Sequence, residues 1–576
     1  MTQDHAAAAV KRIVVVGGVA GGMSAAARLR RLDEHALIIV LERGPDVSFA
    51  NCGLPYHVGG EIADRRSLLL HTPETLRASL DLDVRTRHEV ISIDRTQRSV
   101  VVRDLTSGTD EVLPYDALVL ATGAEPIVPP LPGLERPQVR TLRNVPDADA
   151  LRALLDAGAR SAVVVGAGFI GLETVEAFRR RGLDVTLVEL APQVLPALDA
   201  DMASMIEAEL LAHDVDVRTG AGLTAVEDST TGHAVDVVLS DGERIGADVV
   251  LLGVGVRPST ALAKAAGLEL SAAGAVVVTP SQQTSDPHIW AVGDAIQVHD
   301  FVTGAPGVVP LAGPANRQGR TAADAIMGRR VESQPVLGTA VVRVFDLTAA
   351  VTGPTARRLR AAGVEFQEVH LHPGNHAGYY PGAEQIHLKL IFTPKGRVLG
   401  AQAVGHAGVD KRIDVIATAL RGRMTVDDLA ELELAYAPPF GSAKDPINMA
   451  AFLAQNVLDG TLRIWSASDV DALLDGSVLL LDVRSLHEYA HGHLPGALNV
   501  PHTELRDRLD QVLAAAAGRP VRSICQSGFR SYLAHRVLVS HGVDSAMLDG
   551  GMTTLGVTRP DLALVTGAQA GTLVAS

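Results

Sequence analysis

Cysteine is scarce in this chain, which has two cysteines among 576 residues. Two thiols cannot form a disulfide framework, and intracellular thiols usually stay reduced. Residues 1–11 contain no apolar signal core, and no uninterrupted apolar run approaches the ~20 residues that span a bilayer. Acidic residues outnumber basic ones, and the net charge of −15 argues against nucleic acid as the main partner. These absences predict a soluble cytoplasmic protein that binds neither membrane nor nucleic acid.

The composition that remains is that of an ordered, globular protein, with 47% hydrophobic and 20% charged residues. A chain of this length predicts about three to five domains. Each cysteine lies in a loop of distinctive sequence, Cys52 within Ser48–Tyr56 and Cys525 within Cys525–Arg530. Because the chain otherwise avoids sulfur, one thiol in each loop indicates redox sulfur chemistry.

A first nucleotide-binding unit is predicted near the N-terminus. The run Arg12–Val16 predicts a buried parallel strand, Met23–Leu32 a helix, and Leu37–Leu41 a second strand that ends at Glu42. The loop between the first strand and the helix consists of Gly17, Gly18, Val19, Ala20, Gly21 and Gly22. Glycines let the backbone approach a pyrophosphate, the helix N-terminus attracts its charge, and Glu42 can bind a ribose hydroxyl. Val19 departs from the GxGxxG pattern at its central glycine.

A second unit of the same kind begins at Ser161–Val165 and continues to the strand Val185–Val188. Its loop fits GxGxxG completely, with Gly166, Gly168, Ile170 and Gly171 as the expected cofactor contacts. Glu189 ends the second strand, and an acid there favours a free ribose 2′-hydroxyl, hence NADH. Three arginines at 179–181 keep NADPH open as the alternative.

Three further segments end strands with small or acidic residues, namely Leu118–Gly123, Gly253–Pro258 and Ile289–Asp294. With the two dinucleotide units, they resemble the two-dinucleotide flavoprotein disulfide reductase superfamily. The resemblance implies FAD as bound flavin and NADH or NADPH as electron donor, and it assigns Asp294 to the flavin ribityl chain. It also places further residues at the cofactors: Thr122, Gly123, Gly255 and Gly293.

Superfamily members like glutathione reductase use two nearby cysteines, but no second cysteine lies near Cys52. The pattern of Ser48–Tyr56 resembles the single-cysteine branch, which contains coenzyme A-disulfide reductases, persulfide and polysulfide reductases, and NADH oxidases and peroxidases. The oxidases and peroxidases typically carry a histidine at the position of Ala20, which argues against peroxide chemistry at Cys52. The flavin and a helix N-terminus are expected to lower the pKa of the Cys52 thiol.

The first glycine loop and the segment Tyr436–Pro446 resemble those of the coenzyme A-disulfide reductases. The resemblance implies a homodimer in which Tyr436, with Tyr380 of a companion loop, reaches the partner's flavin–cysteine site. It also implies coenzyme A contacts at seven positions: Ser24, Arg28, Arg31, Ser48, Asn51, Asn316 and Lys444.

The pattern changes after Leu458, with Val478–Arg484, Glu488–Ala497, Cys525–Arg530 and Asp549–Gly551 in that order. This order resembles a rhodanese domain. Backbone N–H groups of the six-residue cysteine loop can point inward, and with Arg530 they would stabilise a thiolate or persulfide. The short loop favours sulfur transfer over phosphoryl chemistry. No Cys/His spacing resembles a metal site, and His57, His376 and His493 are expected at the surface or in loops.

We therefore expect an α/β chain with two Rossmann-like dinucleotide-binding domains, an α+β dimerisation domain and a C-terminal α/β rhodanese domain. The expected bounds are 1–140 and 266–335 for the two parts of the FAD-binding domain, 141–265 for the NAD(P)H-binding domain, 336–460 for dimerisation and 466–576 for rhodanese. The resemblance implies that NAD(P)H reduces coenzyme A persulfide or polysulfide, releasing sulfide, or coenzyme A disulfide, through FAD and Cys52, while Cys525 transfers sulfur. Three alternatives stay open: a coenzyme A-disulfide reductase proper, an NADH oxidase or peroxidase, and a sulfide-responsive sensor that barely turns over.

Overall fold

A computed structural model describes residues 10–230 and 232–567 of the protein. These residues divide into two units. The first unit contains the described residues up to Pro192 together with Asp214–Gly338. The second contains Gln193–His213 and the described residues from Thr339 onward.

The first unit takes most of its helices and strands from residues before 193: β1 (Arg12–Val16), α1 (Ala20–Leu32), β2 (Leu37–Glu42), α2 (Leu54–Val58), α3 (Pro73–Leu80), β3 (Asp83–Thr86), β4 (His88–Asp94), β5 (Ser99–Asp104), β6 (Asp110–Pro114), β7 (Ala117–Leu120), β8 (Ala124–Pro126), β9 (Val139–Arg140), α4 (Val145–Asp156), β10 (Ser161–Val165), α5 (Phe169–Arg180) and β11 (Asp184–Glu189). Helix α6 (Ala200–Ala212) belongs to the second unit. The chain then returns to the first unit with β12 (Val215–Thr219), β13 (Leu223–Asp228), β14 (Val235–Leu239), β15 (Arg244–Ala247), β16 (Val249–Leu252), β17 (Val256–Pro258), α7 (Ala261–Ala265), β18 (Ile289–Ala291), β19 (Val298–His299), β20 (Pro306–Gly307) and α8 (Ala312–Ile326).

Two parallel five-stranded sheets organise the first unit. Their strand orders are β18-β7-β1-β2-β3 and β12-β11-β10-β16-β9. In the first sheet, β2 and β3 lie on one side of the central strand β1, and the later strands β7 and β18 lie on its other side. In the second sheet, β11 and β12 lie on one side of the central strand β10, and the later strand β16 lies on its other side. Ligands of such sheets bind at the carboxyl ends of the strands where this order reverses. The fold therefore predicts one nucleotide site after β1 and another after β10.

The continuous apolar strands are explained by burial on both faces of the sheet. On β1, Val15 packs into a cluster with Leu29 of α1, whereas Val14 packs into a separate cluster with Leu118 of β7. Successive side chains point to opposite faces, so a strand that is covered on both sides needs apolar residues at every position. This is why an alternating polar pattern is absent from Arg12–Val16.

The rest of the second unit continues with β21 (Ala340–Val344), β22 (Leu347–Thr352), α9 (Ala356–Ala361), β23 (Gln367–Leu371), β24 (Ile386–Phe392), β25 (Val398–Gly405), α10 (Val409–Arg421), α11 (Val426–Ala430), α12 (Pro446–Leu458), β26 (Ile464–Trp465), α13 (Val470–Leu473), β27 (Leu479–Asp482), α14 (Leu486–His491), β28 (Leu498–Asn499), α15 (Leu509–Ala516), β29 (Val521–Ile524), α16 (Phe529–Ser540), β30 (Ser545–Leu548) and α17 (Gly551–Thr558). An antiparallel sheet, β21-β22-β25-β24-β23, is followed by a parallel sheet, β26-β30-β29-β27-β28. The α/β class expected from the sequence is confirmed.

Two details differ from the sequence expectation. Helix α1 begins at Ala20 rather than Met23, because Gly21 and Gly22 form its first turn instead of extending the loop. Helix α6 lies within the segment expected to bind NAD(P)H, yet it joins the second unit. Its N-terminal residues Asp199 and Asp201 make ion pairs with Lys389 of β24, which no local pattern reveals.

Candidate active site

The two glycine-rich loops of the first unit have the same geometry. Gly17 and Gly166 both have a backbone φ of +105° and each follows a central strand. A Cβ atom on Gly17 would overlap the carbonyl oxygen of Ala121, and one on Gly166 that of Gly253. Among the described side chains, none caps the N-terminus of α1 or α5, so the first N–H groups of both helices are left for a pyrophosphate. The other predicted loop contacts follow at the same two turns: Gly18, Val19, Ala20, Gly21 and Gly22 after β1, and Gly168, Ile170 and Gly171 after β10.

Two acidic side chains are fixed beside these loops in the same way. Glu42, at the end of β2, accepts hydrogen bonds from the backbone N–H groups of Gly18 (2.8 Å) and Gly44 (2.7 Å). Glu189, at the end of β11, accepts from two backbone N–H groups at 2.7 and 2.8 Å. Each carboxylate oxygen keeps further capacity to accept a hydrogen bond, which suits the ribose hydroxyls of a dinucleotide.

Three segments are predicted from the sequence to end strands with small or acidic residues, and all three lie at the carboxyl edges of the two sheets. Thr122 follows β7 and donates its hydroxyl to the carbonyl oxygen of Ser259 at 2.6 Å. Asp294 lies in the turn after β18, where burial raises the pKa of its carboxyl group. The glycines of these segments all have positive φ: Gly123 (+68°), Gly255 (+113°) and Gly293 (+78°). Thr122 and Gly123 thus follow β7, and Gly293 and Asp294 follow β18, in the first sheet, whereas Gly255 follows β16 of the second sheet.

A partly buried arginine that the sequence does not reveal lies among these residues. Burial lowers the pKa of the Arg143 guanidinium, and the charges of Asp294 and Glu42 act against this lowering. Its Nη2 atom is 2.8 Å from the position that a Cβ atom on Gly123 would occupy. A cation near both acids predicted to contact FAD is suited to the flavin pyrophosphate. Arg143 belongs to no recognised motif, so only the fold places it at the site.

Cys52 lies in a short 3-10 turn, Asn51–Gly53, directly before α2, and its side chain reaches solvent. Desolvation by neighbouring groups raises the pKa of the thiol, and the charges of Glu173 and Asp294 raise it further. The protein's own groups therefore oppose the lowering of the pKa that the sequence predicts. Glu173 lies on α5 and accepts a hydrogen bond from the Tyr56 hydroxyl at 3.0 Å. It is 117 residues from Tyr56 along the chain, so the sequence gives no sign of its position.

Four of the predicted coenzyme A contacts, Ser24, Arg28, Arg31 and Asn316, lie on the packed helices α1 and α8. Ser24 donates to Oδ1 of Asn316 at 2.7 Å, and Arg28 forms a 2.7 Å ion pair with Asp324. The guanidinium of Arg28 is therefore held in place and neutralised before any ligand binds. Arg31 is exposed, and the contacts outside these helices are exposed or partly exposed: Ser48 and Asn51 in the first unit, and Lys444 in the second.

The two tyrosine loops of the second unit meet at their hydroxyl groups. The hydroxyl of Tyr436 is 2.9 Å from that of Tyr379, and both rings are exposed. Tyr380 instead packs edge-on against His376, with ring centroids 5.6 Å apart. The structure thus pairs Tyr436 with Tyr379 rather than with Tyr380.

Cys525 is buried at the end of β29, the central strand of the C-terminal sheet. Its sulfur lies 3.2 Å from the backbone N–H donor of Gly528 and 3.2 Å from the hydroxyl of Ser531. The Ser531 hydroxyl also lies 2.9 Å from the carbonyl oxygen of Gly528, so its one proton is shared between two acceptors. Gly528 has a φ of +100°, which turns the loop over the sulfur before α16 begins at Phe529. Two donors aimed at one sulfur stabilise a thiolate or persulfide anion. Ser531 lies just beyond the six-residue loop and was not predicted from the sequence.

Arg530 forms a two-armed ion pair with Glu488 of α14, with nitrogen–oxygen distances of 2.7 and 2.6 Å. Glu488 also accepts hydrogen bonds from the N–H (3.0 Å) and the hydroxyl (2.8 Å) of Ser485. The hydrogen bond from Arg530 is the main cause that lowers the pKa of Glu488 to about 2. The Glu488 carboxylate is therefore charged at neutral pH. Because it pairs with Arg530, it neutralises the positive charge that Arg530 would otherwise direct towards Cys525.

Comparison with known proteins identifies the family. Residues 11–319 match the family model of pyridine nucleotide-disulphide oxidoreductases, and residues 339–445 match the dimerisation domain of the same family. The chain belongs to the pyridine nucleotide-disulphide oxidoreductases. Residues 466–555 of this oxidoreductase match the model of rhodanese-like domains.

Three known proteins are similar to this oxidoreductase over most of its length. The coenzyme A disulfide reductase of Staphylococcus haemolyticus (strain JCSC1435) is 36% identical over 451 residues, which cover 78% of this chain and 100% of that protein. The crystal structure of reduced Bacillus anthracis CoADR-RHD has a TM-score of 0.94 and 44% identity, covering 96% of this chain and 99% of that one. The NAD-dependent persulfide reductase from A. fulgidus has a TM-score of 0.89 and 37% identity, covering 94% and 99%.

The family uses FAD and NAD(P)H, and the oxidoreductase has residues that fit both. The loop at Gly17 has no room for a Cβ atom and leads into an uncapped helix, and Glu42, Arg143 and Asp294 lie around it. The loop at Gly166 repeats this arrangement with Glu189. These two sets of residues would hold FAD and NAD(P)H respectively.

Within the second unit, a buried ionic network joins the dimerisation sheet to the rhodanese-like module. His370 of β23 contacts Asp549 at 2.6 Å through Nδ1 and Asp201 at 2.8 Å through Nε2. Burial alone would lower the pKa of His370, but the charges and hydrogen bonds of the two aspartates outweigh it and raise the pKa to about 10. Lys389 is buried nearby and is 2.7 Å from Asp201. Three residues after Asp549, the backbone N–H of Met552 bonds to the carbonyl oxygen of Cys525 at 2.9 Å, so the network reaches the back of the cysteine loop.

The histidines singled out in the sequence have structural roles. The surface or loop position expected for His57 is wrong, because it is buried within α2 with Nδ1 2.7 Å from the carbonyl oxygen of Ile62. His493 lies in a loop but is buried, stacked on Tyr489 at 3.5 Å. His376 lies in a loop and is partly exposed.

Among the described residues, Glu209, His213 and Asp346 come close enough to share a metal ion. The two ring nitrogens of His213 face different carboxylates, at 3.5 and 3.7 Å, and Nδ1 also lies 3.0 Å from the carbonyl oxygen of Glu209. No helix in the described part of the chain is both long and apolar enough to cross a membrane.

Proposed function

We propose that this oxidoreductase uses NAD(P)H and FAD to reduce coenzyme A persulfide or polysulfide, or coenzyme A disulfide, at Cys52, while Cys525 transfers sulfane sulfur. The placement of the two cysteines carries the proposal. Cys52 lies in the first unit near Asp294 of the predicted FAD site, and the sulfur of Cys525 accepts two hydrogen bonds in a rhodanese-like loop. The similar proteins support it, because their names include a coenzyme A disulfide reductase and a persulfide reductase.

At the first site Cys52 is the nucleophile. Its thiolate attacks the inner sulfur of coenzyme A persulfide, the S–S bond of the persulfide breaks, HS⁻ leaves, and a mixed disulfide between Cys52 and coenzyme A forms. Two electrons and one proton then convert the mixed disulfide into the Cys52 thiolate and the coenzyme A thiol. With coenzyme A disulfide, the leaving group is a coenzyme A thiolate instead. Bound FAD and NAD(P)H supply the two electrons.

Other residues of the chain position the substrate and the proton. Ser24, Arg28 and Asn316 lie together on α1 and α8, and we assign coenzyme A to this surface with Arg31, Ser48 and Asn51. Lys444 of the second unit is also assigned as a coenzyme A contact. In the homodimer that the dimerisation domain suggests, Tyr436 and Tyr380 are the tyrosines that we assign to the partner's site. We add Tyr379, because its hydroxyl lies 2.9 Å from that of Tyr436 and the two can share a proton.

At the second site Cys525 accepts a sulfur atom as a persulfide. The hydrogen bonds from Gly528 and Ser531 stabilise the anionic sulfur both before and after this transfer. An intact cysteine loop in the same chain as the reductase favours persulfides as the physiological substrates, since coenzyme A disulfide has no sulfane sulfur to transfer. We also infer NADH as the preferred donor, because Glu189 is held at the end of β11 by two backbone N–H groups. The reducing cytoplasm suits both free thiols.

The test is anaerobic NADH oxidation by the FAD-loaded protein, with coenzyme A persulfide and coenzyme A disulfide compared side by side while sulfide is measured. We expect turnover of the persulfide with one sulfide released for each NADH consumed. Cys52→Ser should retain FAD and lose turnover with both substrates. Full activity of Cys52→Ser would overturn the role of Cys52, and turnover of the disulfide alone would leave a coenzyme A-disulfide reductase.

A further inference from the structure

We propose that Glu488 makes the cysteine loop of the rhodanese-like module selective for organic persulfides over the thiosulfate dianion. This inference rests on the proposed function, because it concerns the sulfur donor of Cys525. Both carboxylate oxygens of Glu488 bind Arg530, so Glu488 acts on the sulfur through Arg530 and is a positioning residue. Its effect is to neutralise Arg530, the last residue of the cysteine loop.

The charges around the loop are balanced in pairs. Both oxygens of Glu488 bind Arg530, at 2.6 and 2.7 Å, which is the geometry of a strong two-armed ion pair. A second arginine, Arg484, is buried in an ion pair with Asp482 at 2.7 Å, and Asp482 also acts on the charge of Arg530. Each of these two guanidinium groups therefore has its own carboxylate, and neither offers a free positive charge to an incoming anion.

A doubly negative donor is the substrate that such a site disfavours. Thiosulfate must bring two negative charges to a thiolate, and like charges repel unless a cation offsets them. The donors beside the sulfur, from Gly528 and Ser531, already point at the Cys525 sulfur itself. An organic persulfide carries no more than one charge at its sulfur atoms and avoids most of this repulsion.

The surface beside the loop favours a donor with a carbon arm. Phe529, inside the loop, is 69% exposed, and Leu486, two residues before Glu488, is 53% exposed. An aliphatic chain that contacts these apolar side chains removes them from water, which makes the free energy of donor binding more favourable. An inorganic anion makes no such contact. Charge and surface thus select the same class of donor, an organic persulfide R–S–SH.

The transfer balances without an external oxidant or reductant. The Cys525 thiolate attacks the outer sulfur of R–S–SH, the S–S bond of the donor breaks, R–S⁻ leaves, and Cys525–S–SH forms. The persulfide then loses its proton to solvent. In the assay, cyanide attacks the outer sulfur of Cys525–S–S⁻, thiocyanate leaves, and the thiolate returns.

The experiment measures thiocyanate formation by the full-length FAD-loaded protein without NAD(P)H, with thiosulfate or coenzyme A persulfide as donor. Glu488→Gln removes the charge but keeps an acceptor for the N–H of Ser485. We expect kcat/KM for thiosulfate to rise about tenfold, with little change for the persulfide. The freed Arg530 should also make thiosulfate turnover fall with added salt, an effect that a purely structural role of Glu488 would not cause. The matched control is Glu504→Gln, which breaks an exposed 2.8 Å pair with Arg508 in the same module and should change neither donor.

The outcomes separate this inference from the proposed function. If the unaltered protein transfers sulfur and Glu488→Gln leaves the ratio of the two donors unchanged, the selectivity inference fails alone. The inference would also be overturned if Glu488→Gln lost kcat/KM equally with both donors and unfolded at a lower temperature. If the unaltered protein transfers sulfur from neither donor, and Cys525→Ser matches it, sulfur transfer at Cys525 is itself refuted.

Discussion

Replacing His370 with glutamine tests the buried ionic network of the second unit. The imidazole of His370 contacts Asp549 at 2.6 Å and Asp201 at 2.8 Å, and glutamine can keep hydrogen bonds to them but carries no charge. Asp201 then keeps its 2.7 Å ion pair with Lys389, which also contacts other acids, whereas Asp549 loses the cation with which it pairs. Removing one member of a buried ion pair destabilises a protein by about 3–5 kcal/mol. For a unit of this size, we expect the unfolding temperature at pH 7 to fall by roughly 10 °C.

The pH dependence gives the sign of the effect. The pKa of His370 is raised to about 10 in the folded protein, from an ordinary value of 6.5. The folded state therefore holds this proton more tightly than the unfolded chain does. The resulting stabilisation is complete below about pH 6.5 and is lost as the pH rises towards about 10. The unfolding temperatures of the unaltered protein and of His370→Gln should therefore converge at high pH.

The assay is thermal unfolding between pH 6 and pH 10 at one fixed heating rate, because large multidomain proteins often unfold irreversibly. His213→Gln is the matched control, since His213 also lies between two carboxylates, at 3.5 and 3.7 Å, but on a more exposed surface. It should destabilise the protein by less than about 1 kcal/mol. The reasoning would be refuted if the fall in unfolding temperature caused by His370→Gln were equal at pH 6 and pH 10. A fall no larger than that of His213→Gln would refute it as well.

Three further predictions concern single side chains at the candidate sites. Ser531→Ala removes one of the two donors to the sulfur of Cys525, and thiocyanate formation should fall about tenfold, which corresponds to a hydrogen bond to a charged group; an unchanged rate would exclude this role. Glu173→Gln removes a charge that raises the pKa of Cys52. In a Cys525→Ser background, iodoacetamide should therefore modify Cys52 severalfold faster at pH 7, as followed by mass spectrometry. A slower reaction would contradict the assignment. Arg143→Met should weaken FAD retention, measured by flavin absorbance after dialysis, and full retention would show that Arg143 does not hold the pyrophosphate.

The elements that carry the cofactor sites could be predicted because their signals are local. A β-branched run, a glycine loop and a terminal acid occur within about 30 residues in each dinucleotide unit. In the structure, Glu42 accepts a hydrogen bond from Gly18 of the first loop and Glu189 accepts one from Ala167 of the second. The cysteine loop of the C-terminal module is equally local, since Cys525 and the donor Gly528 are three residues apart.

The features that could not be predicted depend on pairs of residues far apart in the chain. His370 meets Asp549 across 179 residues and Asp201 across 169, so no periodicity or spacing connects them. Arg143 lies near Glu42 and Asp294 only because β2 and β18 end beside it in the fold. Tyr379 and Tyr380 are adjacent in the sequence, and only the backbone turn decides which hydroxyl meets Tyr436.

The buried network has a consequence for how this gene can change over time. The Staphylococcus haemolyticus relative aligns over its full length and accounts for 78% of this chain. A shortened descendant that lost the C-terminal module would lose Asp549 and leave the imidazolium of His370 with one of its two counter-charges, at a surface formerly covered. Loss of the module by a single deletion is therefore penalised unless position 370 changes as well. In lineages that keep the module, we expect His370 and Asp549 to be inherited together, and in lineages that lack it we expect a different residue at position 370.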